Sequence, residues 1–222
     1  NMIKIKSIDY YIKNLNVLYE LKNLEGLCIY SSAYNRLDLS LIRHLSKLEI
    51  IFDSDLCNEL LDVEELKLVG VFNPPELRKL RFGEKIKKLE LSYFGNMTIL
   101  SNMPYSLRSL SLDYCLKLRD VSCVTNCINL KKLQIYDCNK IENLFETLLN
   151  LRNIESLMLY NKETHVVNHF KSIEFIDGMN KLESYVSDYI IDDNNLNPLL
   201  NVKHKELLRW KKEYNLKKNL IK

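Results

Sequence analysis

Two histidines, His165 and His169, stand four residues apart, a spacing that can put both imidazoles on one face of a helix and share a metal ion between them. A zinc hydrolase of that kind also needs a glutamate as general base, in the order H-E-x-x-H. The residues between these histidines are Val166, Val167 and Asn168, so the pair reads as part of a surface loop. The other reactive groups are six cysteines. None of them forms a C-x-x-C pair, which leaves a zinc ribbon without support. Cys123 and Cys127 are four residues apart and read as small buried hydrophobes. There is no G-x-x-x-x-G-K, G-x-S-x-G or G-x-G-x-x-G, and five glycines in all leave little for a phosphate cradle. These residue types predict no catalytic group, no metal and no cofactor.

The remaining cysteines point to the elements that position everything else. Cys115 closes Leu107-Arg108-Ser109-Leu110-Ser111-Leu112-Asp113-Tyr114-Cys115, and Cys138 closes Leu130-Lys131-Lys132-Leu133-Gln134-Ile135-Tyr136-Asp137-Cys138. Both stretches read L-x-x-L-x-L-x-x-C, 23 residues apart. The same core recurs at Leu24-Leu27-Ile29, Leu45-Leu48-Ile50, Val63-Leu66-Leu68, Ile86-Leu89-Leu91 and Ile154-Leu157-Leu159, with a degenerate copy at Leu182-Tyr185-Ser187. Successive units are offset by 21, 18, 23, 21, 23, 24 and 28 residues. A period of this length and pattern is identified as a leucine-rich repeat. The L-x-L pair is a short strand with one buried face, and one strand cannot bury that face alone. Stacked coils can, each adding a layer to a continuous core. The expected fold is therefore α/β, a leucine-rich-repeat solenoid of about eight coils with a parallel concave β-sheet and helical caps at both ends. In this reading residues 1–222 form one domain, with 1–23 as the N-terminal cap, 24–202 as the repeats and 203–222 as a C-terminal helical cap.

The caps are read from local pattern. Ile3-Lys4-Ile5 alternates like a strand one coil before Leu27-Cys28-Ile29, and Tyr10 to Leu24 has helical apolar spacing. Leu207, Trp210 and Tyr214 stand at i, i+3 and i+7, as on an amphipathic helix with Trp210 sealing the last coil. Leu77 to Phe82 imitates the repeat core but lies too close to Ile86 to be a full coil. It reads as the convex return of the third repeat, with a shifted register at Ile86 as the alternative. Cys115 and Cys138 occupy the slot that leucine-rich repeats fill with Asn or Cys, and they should stack from coil to coil inside the turns.

Charge limits the partners. The formal net charge is +3. Residues 203–222 hold eight Lys or Arg and two Glu, so the rest of the chain is mildly acidic. That is not the footprint of a dedicated nucleic-acid binder, although the basic end alone could touch nucleic acid or a membrane. No run of 18 apolar residues occurs, so no transmembrane segment is expected. With Met2 read as the start and charges at Lys4, Lys6 and Asp9, no secretory signal is expected either. The cytoplasm is the expected compartment, with the cysteines reduced.

The phrase Leu118 to Leu133, with Asp120-Val121-Ser122 and Val124-Thr125-Asn126 before Asn129-Leu130-Lys131-Lys132-Leu133, resembles the bacterial internalin-type repeats over roughly Leu107 to Asn161. Asn102-Met103-Pro104-Tyr105-Ser106-Leu107-Arg108-Ser109-Leu110 resembles, over a single unit, the FNIP-type repeats of amoebal and giant-virus proteins. The resemblance implies a non-enzymatic protein-protein interaction module that binds on its concave face. For a short cytoplasmic chain of the bacterial type it implies a toxin-immunity protein whose partner is a toxin domain. An adaptor or substrate-recognition protein, and a nucleic-acid or membrane binder using the basic end, are the alternatives. The strand residues that point outward nominate the partner-binding surface: Glu90, Ser92, Tyr93, Ser111, Asp113, Tyr114, Gln134, Tyr136, Asp137, Met158, Tyr160 and Asp188. Tyrosine suits such a face because its ring buries area while its hydroxyl bonds, and the carboxylates favour a basic partner.

Overall fold

The computed structural model describes residues 2–5, 16–29, 42, 45–52, 60–70, 81–161, 166–217 and 220. Fourteen strands occur among them in chain order. These are β1 (Met2–Ile5), β2 (Gly26–Ile29), β3 (Lys47–Phe52), β4 (Leu60–Leu61), β5 (Glu65–Gly70), β6 (Arg81–Phe82) and β7 (Lys88–Ser92). They continue as β8 (Ser109–Asp113), β9 (Lys132–Tyr136), β10 (Ser156–Tyr160), β11 (His169–Phe170), β12 (Ser184–Ser187), β13 (Ile190–Ile191) and β14 (His204–Leu207). Ten of them build one sheet in the order β1-β2-β3-β5-β7-β8-β9-β10-β12-β14, and every neighbouring pair is parallel.

The register is that of a solenoid. Leu27, Leu48, Leu66, Leu89, Leu110, Leu133, Leu157 and Tyr185 stand in one row across the sheet. All eight are buried, as are Ile29, Ile50, Leu68, Leu91, Leu112, Ile135 and Leu159 in the row beside them. Alternation explains the geometry, since every second side chain must find apolar cover and only the next coil supplies it. Each fully buried aliphatic side chain contributes about 1.5–3 kcal/mol by leaving water. A third buried row, Leu24, Val63, Ile86, Leu107, Leu130, Ile154 and Leu182, lies beneath.

The sheet has ten strands where the repeat pattern predicts about eight coils, and both additional strands come from the segments read as caps. β1 pairs with β2 as the alternation of Ile3 and Ile5 predicts, Ile3 opposite Leu27 and Ile5 opposite Ile29. Only one helical turn, α1 (Val17–Glu20), follows it among the described residues. Most of the Tyr10–Leu24 helix expected from the pattern lies outside those residues. At the other end the expected helix over 203–222 is not present in the described part. His204–Leu207 is the last strand, and turns follow it up to Lys217. Lys205 stands opposite Tyr185, in the core row, where an apolar side chain would normally sit. Its ammonium donates to the carbonyls of Leu199, Leu200 and Val202 at 3.1, 3.1 and 3.2 Å, so the preceding 3₁₀ turn is satisfied by a lysine. Trp210 does pack on the core, half-buried and edge-on to buried Tyr214, with ring centroids 5.2 Å apart.

Little α-helix is found among the described residues of the convex side. Ser122–Asn126, Glu174–Gly178 and Asn197–Leu199 are 3₁₀ turns, and α2 (Leu144–Leu149) is a short helix. Arg81–Phe82 pairs with Leu60–Leu61 away from the main sheet, so this part of the ambiguous 77–82 stretch is a convex return and Ile86 keeps its register. Phe145, Phe170, Phe175 and Tyr189 fill the convex side of the later coils, with Phe170 stacked on Tyr189 at 4.5 Å and edge-on to Phe175 at 5.3 Å. His169 lies on β11, its Nδ1 2.8 Å from Asp192 Oδ1. His165 lies outside the described residues. Among those residues no helix is long and apolar enough to cross a membrane.

Candidate functional site: the concave face

The outward side chains form rows because parallel register repeats them. The middle row runs Cys28, Glu49, Lys67, Glu90, Ser111, Gln134, Met158, Val186. Its first part is a ladder of ion pairs. Lys67 lies 3.0 Å from Glu49 and 3.0 Å from Glu90, one coil to each side. Partial burial alone would lower the Lys67 ammonium's pKa, but the two carboxylates outweigh it and hold the pKa above the usual lysine range. Beside it Glu65 takes Lys47 at 2.8 Å and Lys88 at 3.8 Å. This part of the face neutralises its own charges.

The next coils differ. Glu90, Tyr93, Ser111, Asp113, Tyr114, Gln134, Tyr136, Asp137, Met158 and Tyr160 line one shallow depression of about 450 Å³. Ten of the twelve residues nominated from spacing therefore converge on a single feature. Among the described residues, those lining it include four tyrosines and three carboxylic acids, and no Lys or Arg. Tyr136 and Tyr160, paired in register, meet edge-to-face at 5.1 Å. The Tyr136 hydroxyl accepts from Gln134 Nε2 at 2.7 Å and donates to the Met158 sulfur at 2.7 Å. Burial, and then Tyr160, Asp113 and Glu90 nearby, push the Tyr136 hydroxyl above the usual tyrosine range. It therefore stays a neutral donor and acceptor.

The rim is set by backbone. Tyr93, Tyr114 and Asp137 follow the last strand residue of successive coils and have left-handed conformations, with φ of 63°, 56° and 49°. Each amide extends the ladder into the next coil, donating to Asp113, Tyr136 and Tyr160 carbonyls at 2.8, 3.1 and 3.1 Å. That bond holds a conformation costly for a bulky side chain. Immediately beyond the rim lies the cysteine stack. Cys115 and Cys138 are buried, and the Cys115 amide donates to Cys138 Sγ at 3.4 Å.

Three nominated residues are buried: Ser92, Asp188, and Asp137, which is 3% exposed although it borders the depression. Ser92 is 3% exposed, its short side chain lying in register between Val69 and Asp113. Asp188 is 4% exposed and pairs with Arg209, whose Nε lies 3.5 Å from Asp188 Oδ2. Burial raises the Asp188 carboxyl's pKa above its ordinary value, although the Asn161 amide and Arg209 oppose the shift. Its register is the counted one, but β12 ends at Ser187, so Asp188 lies just past the strand, its amide donating to the Leu159 carbonyl at 3.1 Å. The pairings of Lys67 and Arg209 are not assigned from pattern. The alternation Glu49, Lys67, Glu90 at one repeat position is the signal for the first, and nothing local signals the second.

The stacked parallel sheet with its period of some 23 residues defines a leucine-rich-repeat solenoid, a scaffold built to present one extended surface. No protein-family model matches the chain, and no curated protein sequence matches it. Among solved structures it is similar to an internalin from Listeria monocytogenes, with 19% identity and a TM-score of 0.45, over 90% of this chain and 71% of that one.

Proposed function

We propose that the chain is a non-catalytic protein-binding module that engages its partner through the concave depression around Tyr136, and that the partner is a toxin domain which it neutralises. The observation that carries the binding site is the convergence of four tyrosines and Asp113 on one depression whose described lining includes no Lys or Arg. Aromatic side chains with a polar handle dominate protein interfaces, and a one-sided charge selects a partner of opposite sign. The toxin assignment follows the resemblance of the repeats to bacterial internalin-type units. Binding should be tight and one-to-one. The test is co-expression with the toxin domain encoded beside this chain's gene. The pair should co-purify and the toxin should be inhibited. Changing Tyr136→Ala together with Asp113→Lys should abolish both while leaving the circular dichroism and melting of the free protein unchanged. Unchanged capture by the folded double variant would move the site elsewhere.

The reading as a nucleic-acid or membrane binder draws on the basic residues after Lys203. Of these, Lys205 is committed to three carbonyls and Arg209 to Asp188, so no observation favours it over the concave face.

A further inference from the structure

The rim tyrosines are not where backbone preference would put them. At φ near +60° glycine, asparagine or aspartate is comfortable, and a bulky side chain is an outlier. Yet two consecutive coils carry Tyr93 and Tyr114 there. Their rings stack on one another, with centroids 5.2 Å apart and planes tilted by 26°. Tyr93 is 53% exposed, so the pair forms a broad aromatic plate at the mouth of the depression and fills no core. Strained residues that persist where a cheaper one would serve mark a functional surface. Beside the plate stands the half-buried carboxylic acid of Asp113. A flat aromatic surface next to a carboxylic acid fits a flat cation.

We infer that the Tyr93–Tyr114 plate with Asp113 is a receptor for an arginine side chain of the partner. This rests on the proposed concave-face reading and names the chemistry of what enters it. The guanidinium stacks on an aromatic face while its edge keeps N–H groups for a carboxylate, so one group uses both features at once. A lysine ammonium is a compact, strongly hydrated charge that can satisfy only one of them well. An acidic or apolar segment would meet the Asp113 carboxylic acid instead of matching it.

The experiment titrates the full ¹⁵N-labelled chain with acetyl-Gly-Ser-Arg-Ser-Gly-amide and, separately, with its lysine counterpart, up to tens of millimolar. Saturable amide shifts should centre on Tyr93, Asp113 and Tyr114, with the arginine peptide about three- to ten-fold tighter than the lysine peptide. Tyr114→Asn keeps a residue suited to the left-handed backbone, and Asp113→Asn keeps the side-chain shape. Each should weaken the arginine peptide several-fold in a chain whose spectrum stays dispersed. Equal affinity for the two peptides, shifts centred elsewhere, no saturation, or indifference to both variants overturns the assignment. If the arginine peptide fails while Tyr136→Ala with Asp113→Lys still abolishes toxin capture, the concave face stands and the arginine receptor falls. If capture also survives, the concave-face reading falls with it.

Discussion

The backbone N–H of Cys115 donates to the Sγ of Cys138, one coil away, across 3.4 Å. The Cys138 thiol donates in turn to the Tyr136 carbonyl at 3.1 Å. One sulfur thus satisfies a buried amide of the preceding coil and ties down the strand that carries Tyr136. Replacing Cys138 by Ala removes the acceptor and leaves a buried N–H unsatisfied, which costs about 1–3 kcal/mol. Cys138→Ser keeps both roles and should lose less. Urea unfolding followed by circular dichroism measures the difference. A Cys138→Ala protein as stable as the parent would mean that the ladder carries no load.

The convex thiols give a pH signature. Burial, followed by Cys127 and Asp120 nearby, pushes Cys123 up to about 12, and burial pushes Cys127 up to about 11. The folded chain therefore holds protons that the unfolded chain releases near pH 9. Stability from this source is complete below pH 9 and is lost as pH rises towards 11 and 12. For Cys127 the loss between pH 8 and pH 11 should be about 2 kcal/mol. Denaturation midpoints at these pH values should fall in the parent and fall less in Cys127→Ala. Equal slopes in the two proteins would show that Cys127 does not titrate differently on folding.

Much of this fold is legible because a solenoid asks the same question at the same position in every coil. Leu110 and Leu133 answer it identically, and Gln134 and Met158 fall on the outer face by the same alternation. The two ends are less legible because they break that rule. Lys205 occupies a core row, and its reason is three carbonyl oxygens that approach it from an earlier turn. Leu207, Trp210 and Tyr214 have helical spacing, yet a strand followed by turns buries the same side chains. Asp188 keeps its counted register but lies just past the end of β12, where Arg209 from the C-terminal turns covers it. The left-handed backbone of Tyr93 and Tyr114 is hidden for a different reason: a bulky tyrosine is not a residue that propensity would place there.

That backbone yields a stability prediction independent of any partner. Tyr93→Asn replaces a residue strained at φ 63° by one that tolerates the conformation. Relief of about 1 kcal/mol or more offsets the loss of about 0.5–1.5 kcal/mol of ring stacking on Tyr114. The melting temperature should stay within a few degrees of the parent or rise. An ordinary exposed tyrosine in a relaxed backbone would show only the loss, so clear destabilisation would argue against the strain.

The C-terminal turns are part of the scaffold. The Tyr214 hydroxyl accepts from the buried Ile191 amide at 3.1 Å. One residue on, Asn215 accepts from the Leu196 amide at 2.9 Å through Oδ1. Its Nδ2 donates to the side-chain oxygens of Asn195 and Asn197. A single turn thus closes the convex strand β13 and the loop after it, with no helix involved. Tyr214→Phe keeps the ring against Trp210 but strands the Ile191 amide, a cost of about 1–3 kcal/mol. The loss should be local first. Hydrogen exchange at Ile191 and Leu196 should speed up well before the amides of β8 and β9, because coils of a solenoid lean mainly on their neighbours. Capture of the proposed partner should be untouched, since the depression lies on the concave face and Ile191 on the convex strand β13. Exchange unchanged at Ile191 would mean that the basic end is a loosely attached tail, and the reading of residues 203–222 as a surface for nucleic acid or membrane would then regain its footing.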